Sequence, residues 1–171
     1  MDEFLDMLAA CTRRFPRVPL MVLSNGLNLA EIETAKSIAR ARSGLITFGI
    51  PLYSDIDDIH DEITGVPDSF YRTIKGIQNL ALVGIPVEIR HVIIRGNCDR
   101  LTNFAEFVYR NFPFVVHVAY MGCEMTGFAQ KNADRVWIDP AEYSERLGDA
   151  VRCLERRSTS PLTGTDPVVL S

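Results

Sequence analysis

The chain has 171 residues, of which 47% are hydrophobic and 23% charged, proportions that are ordinary for a globular domain. Its formal net charge of −4 argues against a nucleic-acid or anionic-membrane partner, because both favour dense patches of lysine and arginine. We expect no membrane span and no secretory signal, because apolar runs are short and the N-terminus is acidic. Four widely spaced cysteines predict reduced, separate thiols in a cytoplasmic protein.

The first part of the chain alternates between helical and strand patterns. Apolar spacing predicts a helix over residues 4–15, and the short apolar run Leu20–Leu23 predicts a buried strand that ends at a polar turn. Helical spacing returns over 29–42, and a second strand is predicted over Leu45–Tyr53. The second strand has bulky side chains on one face and small or polar ones on the other. A parallel barrel strand needs this difference, because one face meets helices and the other meets a shared lumen.

The same alternation continues to residue 157. After a loop rich in acids, Asp68 or Ser69 is expected to cap a helix that Gly84 closes. The remaining predicted elements are a strand over Val87–Ile94, a helix through Leu101–Phe112, a strand over Phe114–Met121 and a helix that Asp139 caps. In the third strand, alternation places His91 with the bulky apolar residues and Arg90 with Glu88 on the lumen side.

This order, one helix and then four strand–helix pairs, predicts an α/β fold with about four parallel strands and right-handed crossovers. Such a sheet must be covered on both faces or closed on itself, so we expect part of a β/α barrel over residues 1–157. The pattern starts on a helix that no strand precedes, as if inside a barrel. Residues 158–171 have no periodicity and are rich in turn formers, so we expect a disordered tail or one that is out of register after a truncation or frame change.

Polar side chains gather where the predicted strands end. In parallel β/α barrels, functional groups lie at the carboxyl ends of strands, because the loops there surround the mouth of the lumen. Those ends read Ser24-Asn25-Gly26, Ser54-Asp55, Arg95-Gly96-Asn97 and Met121-Gly122-Cys123-Glu124. They predict a site for a small polar molecule.

An ordered series of short motifs resembles one enzyme family over about residues 1–156. The series is SNG at 24–26, PLYSD at 51–55, His60-Asp61, IKGIQNL at 74–80, HVAYMG at 117–122, EMTGFA at 124–129 and WIDP at 137–140. It resembles the radical S-adenosylmethionine enzymes, whose domain is a partial, TIM-barrel-like (β/α) barrel. The subtype that it resembles is the radical maturase of the His-Xaa-Ser peptide-modification system.

The resemblance implies a site for S-adenosylmethionine at the strand ends. It implies that Ser54, beside Asp55, contacts the ribose or carboxylate region, that Arg90 pairs with the methionine carboxylate, and that Asn25 borders the pocket. For Ser54 and Asp55 the alternative is a turn cap, and for Arg90 it is an ion pair in the lumen with Glu88. His60-Asp61 is expected to fix the loop and the start of a helix.

The departures from the family bear on activity. Its members hold a [4Fe–4S] cluster with three cysteines spaced CxxxCxxC and bind the amino group of the cofactor with a glycine-rich turn. Neither motif is in this sequence, so we expect no cluster on this chain and name no catalytic residue and no metal ligand.

Two functions remain open from the sequence. One is an incomplete radical maturase that acts on a peptide or protein, is inactive alone and is completed by a polypeptide that supplies the missing strands. The alternative is a non-catalytic protein derived from that fold, which binds a peptide or a partner. An unrelated small α/β enzyme has no support, since GxGxxG, GxxxxGK[ST] and GxSxG are all absent from the sequence.

Overall fold

Five strands form one parallel sheet, and they lie side by side in the order in which they occur along the chain. The structure is a computed structural model that describes residues 2–158 and 168–170. The strands are β1 (Leu20–Leu23), β2 (Ile46–Pro51), β3 (Val87–Ile93), β4 (His117–Gly122) and β5 (Val168–Leu170). The helices are α1 (Asp2–Arg14), α2 (Ile32–Ala41), α3 (Asp57–Thr64), α4 (Ser69–Leu82), α5 (Leu101–Asn111), α6 (Phe128–Lys131), α7 (Ala133–Val136) and α8 (Pro140–Ser158). Short 3₁₀ helices cover Leu27–Ala30 and Cys98–Arg100.

The two faces of the sheet differ as the alternation in the sequence predicts. One face carries large side chains that are buried in the core together with apolar residues of the helices: Phe48, Ile50, Ile89, His91, Ile93 and Tyr120. The opposite face carries small or polar side chains on β2 and β3, and exposed Met21 and Leu23 on the edge strand β1. We call this second face the open face.

Two close approaches fix how the elements sit. A Cβ atom added at Gly49 on β2 would lie 2.7 Å from Cδ2 of Leu23 and 3.1 Å from Cδ of Arg90, so the side chains of both neighbouring strands lie over this glycine. A Cβ atom at Gly76 on α4 would lie 2.5 Å from the carbonyl oxygen of Gly26. The absence of a side chain at Gly76 therefore lets α4 pack against the turn that follows β1.

The predicted fold class is confirmed: the strands are parallel and alternate with helices. The clearest helix start is also as predicted, because Oδ1 of Asp139 accepts the N–H of Ala141 at 2.9 Å at the start of α8. The fourth strand begins at His117, later than expected. The N–H of Val115 is bonded to the carbonyl of Phe112 and keeps the intervening residues in a turn.

The loop rich in acids contains a helix, α3, that the apolar periodicity does not predict. Its first turn carries Asp57 and Asp58, and Gly65 ends it in the left-handed conformation with φ 69°. The expected caps of α4 were wrong: the side chains of Asp68 and Ser69 do not cap the helix. Instead Oδ1 of Asp61, on α3, accepts the Ser69 hydroxyl and the Phe70 N–H, both at 2.8 Å.

Part of the expected tail is structured. Val168–Leu170 form β5, which pairs in parallel with β4, although no strand is predicted there from the sequence. Residues 159–167 and 171 lie outside the described residues, and the expectation for them stays a prediction. In the part of the chain that the structure describes, no helix combines the length and the apolar character needed to cross a bilayer.

Candidate functional site

The segment that leaves β2 at its carboxyl end is held by side chains from three other parts of the chain. The ring of His91, on β3, donates from Nδ1 to the Leu52 carbonyl at 2.9 Å. Nδ1 of His60, on α3, accepts the Tyr53 N–H at 3.2 Å, and the amide of Asn97 donates to the Tyr53 carbonyl at 3.0 Å. The backbone of this segment is therefore fixed before it reaches Ser54.

Burial favours the neutral form of both histidines. Burial lowers the pKa of His60 and that of His91 to about 4, from an ordinary value of 6.5. The His91 ring packs 4.0 Å from that of Phe104, centroid to centroid. These contacts confirm the expectation that His91 is a core residue, and the contacts of His60 and Asp61 confirm that the pair fixes a loop and a helix start.

Ser54 and Asp55 are both engaged within the protein. The Ser54 hydroxyl is buried and accepts the Ile56 N–H at 3.0 Å, as a turn cap does. The Asp55 carboxylate accepts two hydrogen bonds from Arg100, one from Nε at 2.9 Å and one from Nη2 at 2.6 Å. This two-point bond raises the pKa of Arg100. The structure thus shows the turn-cap role for Ser54 and an ion pair with Arg100 for Asp55. The contact of either residue with a cofactor stays a prediction.

A charged cluster lies on the open face of the sheet. Glu88 and His117 are register partners on β3 and β4, and Oε2 of Glu88 lies 2.6 Å from Nδ1 of His117. Nη1 of Arg90 lies 3.7 Å from Oε1 of Glu88, and its Nη2 lies 3.0 Å from Sδ of Met121. A thioether is a weak acceptor, and the ion pair is longer than a hydrogen bond. A planar carboxylate would therefore be a better partner for Arg90 than those it has here.

Asn25 lies apart from that cluster, beside a smaller cavity at the ends of β1 and β2. Its exposed side chain accepts the Leu27 N–H at 3.3 Å. The cavity has a volume of about 300 Å³, and Asn25, Pro51, Tyr53, His60 and Thr73 are among the residues that line it. Pro51 is the register partner of Arg90, so the cavity and the charged cluster are neighbours at the carboxyl edge of β2. The structure thus brings Asn25 and Arg90 to the same edge of the sheet, whereas Ser54 and Asp55 do not line this cavity.

Two contacts of the site do not follow from the sequence. Arg100 and Asn97 follow the third strand and bind residues that follow the second, so only the strand pairing shows that they meet. The pairing of Glu88 with His117 had a usable signal. Both were predicted on neighbouring strands, and a one-residue choice of register decides whether they are opposite each other.

The cysteines do not supply a cluster site within the described residues. Cys11 lies on α1, Cys98 follows β3, Cys123 follows β4 and Cys153 lies on α8, and all four thiols are free. Burial raises the pKa of the Cys98 and Cys153 thiols, which disfavours the thiolate that iron requires. No group of three or more histidine, cysteine or acidic side chains in residues 2–158 is placed to hold a metal ion. These residues do not fit a [4Fe–4S] cluster.

The comparisons with known proteins rest on structure. No family profile and no curated protein matches the sequence. A domain of pyruvate-formate lyase-activating enzyme from Bacteroides vulgatus matches with a TM-score of 0.68 and 17% identity, over 99% of this chain and 90% of that one. Streptococcus suis SuiB matches with a TM-score of 0.69 and 18% identity, over 98% of this chain and 35% of that one. Its S-adenosylmethionine-bound form matches with a TM-score of 0.67 and 18% identity, over 98% and 36%.

This chain therefore spans about a third of SuiB and nearly all of the other domain. At this identity the likeness extends to the fold, and the His-Xaa-Ser subtype stays a prediction. The chain has the α/β fold of a partial radical S-adenosylmethionine (β/α) barrel.

Proposed function

We propose that this chain is the S-adenosylmethionine-binding part of a radical peptide-modification maturase, closest to that of the His-Xaa-Ser system. The observation that carries the proposal is the position of Arg90 on the open face of the sheet. The stem of its side chain lies over Gly49, and its guanidinium has a thioether and one long ion pair as partners. S-adenosylmethionine bound to the SuiB neighbour, at the same fold, supports the proposal.

The charges of the open face suit the methionine part of S-adenosylmethionine, which carries a negative carboxylate and a positive ammonium group. Arg90 supplies a planar cation for a carboxylate, and Glu88 supplies an anion for an ammonium or sulfonium group. Gly49 leaves the room that the arginine stem occupies, because its missing Cβ would lie 3.1 Å from Cδ of Arg90. Asn25 borders the same edge, and Ser54 with Asp55 keeps the intervening turn rigid through Arg100.

The reductive chemistry of such enzymes is supplied by a [4Fe–4S] cluster, which the described cysteines do not fit. We therefore propose that the chain alone is inactive and works with a polypeptide that supplies further strands. The exposure of Leu23 and Met21 on the edge strand β1 supports a partner at that edge. We also propose that it works in the cytoplasm, where its four free thiols stay reduced.

Calorimetric titration with S-adenosylmethionine tests this function. We expect saturable binding to the full chain. For Arg90→Ala we expect a dissociation constant larger by at least about tenfold, since a hydrogen bond to a charged group contributes about 1.5–3 kcal/mol. Arg110→Ala is the matched control, because Arg110 is exposed and pairs with Glu106 on its own helix, away from the open face. Equal affinity in the Arg90 variant, or no binding by the chain, would contradict the proposal.

A second candidate is a non-catalytic peptide- or partner-binding protein with this fold. The observation that favours it is an apolar cleft of about 620 Å³ beside the sheet. It predicts peptide binding without any affinity for S-adenosylmethionine. The titration above therefore separates the two candidates.

A further inference from the structure

The cleft lies between α3, the end of β3 and the segment that carries α6 and α7. Its floor is aliphatic and is made by Ile59, Ile63, Ile94, Ala129 and Val136. A backbone hydrogen bond holds this segment against the strand end: the Arg95 N–H donates to the Val136 carbonyl at 3.1 Å. A volume of about 620 Å³ is in the range of pockets that bury a ligand or several side chains.

The rim of the cleft is aromatic and mainly basic. Phe128 is 81% exposed at the rim, and Nζ of Lys131 lies 5.4 Å from the centre of its ring. Arg95 and Arg135 also line the cleft, against one carboxylate, that of Glu62, which lies 3.9 Å from Nη2 of Arg135. Such a positive rim in a chain with a net charge of −4 favours an anionic partner.

We propose that the cleft binds an acidic segment of the peptide substrate, with an apolar side chain of that segment on the aliphatic floor. The inference rests on the proposed function in taking a peptide as the molecule that is modified. Arg95 and Arg135 pair with the acids, and Phe128 covers the apolar side chain. Aromatic side chains and arginines are enriched at protein interfaces, so an exposed phenylalanine ring flanked by arginines suits a binding surface.

The position of the cleft suits this role. Ile94 and Gly96 line it and directly follow β3, the strand that carries Arg90 on the open face. A peptide held there lies beside the carboxyl edge of the sheet, where we place S-adenosylmethionine. Arg90 does not line the cleft, so a substitution of Arg90 leaves the cleft residues in place, and substitutions in the cleft leave Arg90 in place.

Fluorescence anisotropy on the full chain tests the inference. The probe is a fluorescein-labelled decapeptide with two phenylalanines and a leucine spaced among glutamates. The comparison peptides have lysine for every glutamate, or serine for every apolar residue. We expect the acidic apolar probe to bind most tightly, with roughly tenfold weaker binding by the Arg95→Glu, Arg135→Glu double variant, a loss of about 1.4 kcal/mol. Phe128→Ser weakens it to a similar extent.

Matched controls are Arg13→Glu and Leu82→Ser, both of exposed residues remote from the cleft, which leave the affinity unchanged. The inference is further supported if the lysine peptide binds the doubly reversed variant better than the parent. Equal affinity for the acidic and lysine peptides, no effect of the cleft variants, or tighter binding of an oligothymidylate would overturn it.

Titration of the same samples with S-adenosylmethionine keeps the two proposals apart. Cofactor binding without probe binding overturns the cleft and leaves the proposed function standing. Probe binding at the cleft without cofactor binding overturns the S-adenosylmethionine function and favours the peptide-binding candidate. Cleft variants that still bind the cofactor show that the loss of peptide binding is not a loss of fold.

Discussion

Gly76 shows how much of the site depends on one missing side chain. It lies on α4, where a Cβ atom would be 2.5 Å from the Gly26 carbonyl oxygen and 3.0 Å from Cβ of Leu29. Both neighbours belong to the turn after β1, which also carries Asn25. The close packing of this helix therefore sets the height of the turn above the sheet edge.

Gly76→Ala should destabilise the protein by about 2 kcal/mol or more, because a backbone carbonyl cannot move aside as a flexible side chain can. Urea unfolding followed by circular dichroism measures the change. Gly148→Ala on α8 is the matched control: the nearest atoms to its new Cβ belong to the flexible Arg152 guanidinium, at 3.3 Å and beyond. That variant should be neutral or more stable by up to about 1 kcal/mol, since alanine favours helix. Equal stability of the two variants would show that α4 can shift.

The faces on which single residues lie can be predicted from the sequence, whereas their contacts within the site cannot. Alternation alone predicts that Arg90 shares a strand face with Glu88, and the structure confirms that both lie on the open face. The engagement of Asp55 by Arg100 was not visible, since 45 residues separate them and their meeting depends on the register of β2 with β3. Which polar groups are already occupied is decided by packing between elements, and no local pattern records it.

At the scale of elements, the carboxyl end of β2 is fixed by two neutral histidines. His91 donates to the Leu52 carbonyl and His60 accepts the Tyr53 N–H, so each ring needs a defined tautomer. If His60 were protonated, its Nδ1 would carry a hydrogen that faces the Tyr53 N–H, and the hydrogen bond between them would be lost. Protonation of either histidine would therefore disturb the backbone at the end of β2.

We expect the free energy of unfolding to be greatest above pH 6.5 and to fall as the pH drops from 6.5 to about 4. The folded-state pKa of each histidine is lowered to about 4, so the unfolded chain binds more protons in that window and acid favours it. Each histidine contributes on the order of 3 kcal/mol over the window, at 1.36 kcal/mol per pKa unit.

Urea unfolding at half-unit steps of pH checks this dependence. His91→Phe keeps a ring against Phe104 and removes one titrating group, so the slope between pH 6.5 and 5 should be roughly halved even though the variant is less stable at pH 7.5. The Asp61 carboxylate titrates below this range, because hydrogen bonds from Phe70 and Ser69 outweigh the effect of burial and lower its pKa. An unchanged slope would mean that His91 is not neutral in the folded protein.

The elements themselves were largely predictable, and the exceptions have physical reasons. Strands and long helices follow from apolar periodicity, which burial imposes on every residue of an element. Helix α3 was missed because its eight residues include only two that are strongly apolar, Ile59 and Ile63, and its acids resemble a loop. Its role as the source of His60 and Asp61 follows from packing against α4, which is a contact between elements.

At the scale of the whole molecule, the sheet has a covered face and an open face. Helical side chains bury the first, whereas the second bears Glu88, Arg90 and His117 in its middle and Met21 with Leu23 at its edge. The middle is polar enough for solvent or a cofactor. The edge combines unpaired strand backbone with apolar side chains, a surface that tends to pair with another chain.

Leu23→Lys should therefore reduce concentration-dependent self-association of the isolated chain. Leu23 is 64% exposed at the carboxyl end of β1, so a lysine there places a charge on the surface that association would bury, while folding stability changes by no more than about 0.5 kcal/mol. Sedimentation velocity over a concentration series measures the effect. Leu82→Lys is the matched control, since Leu82 is 76% exposed at the end of α4 and not on the sheet. If both variants associate as the parent does, copies of this chain do not associate through the edge strand β1. That result would also count against this edge as the place where another polypeptide adds a strand.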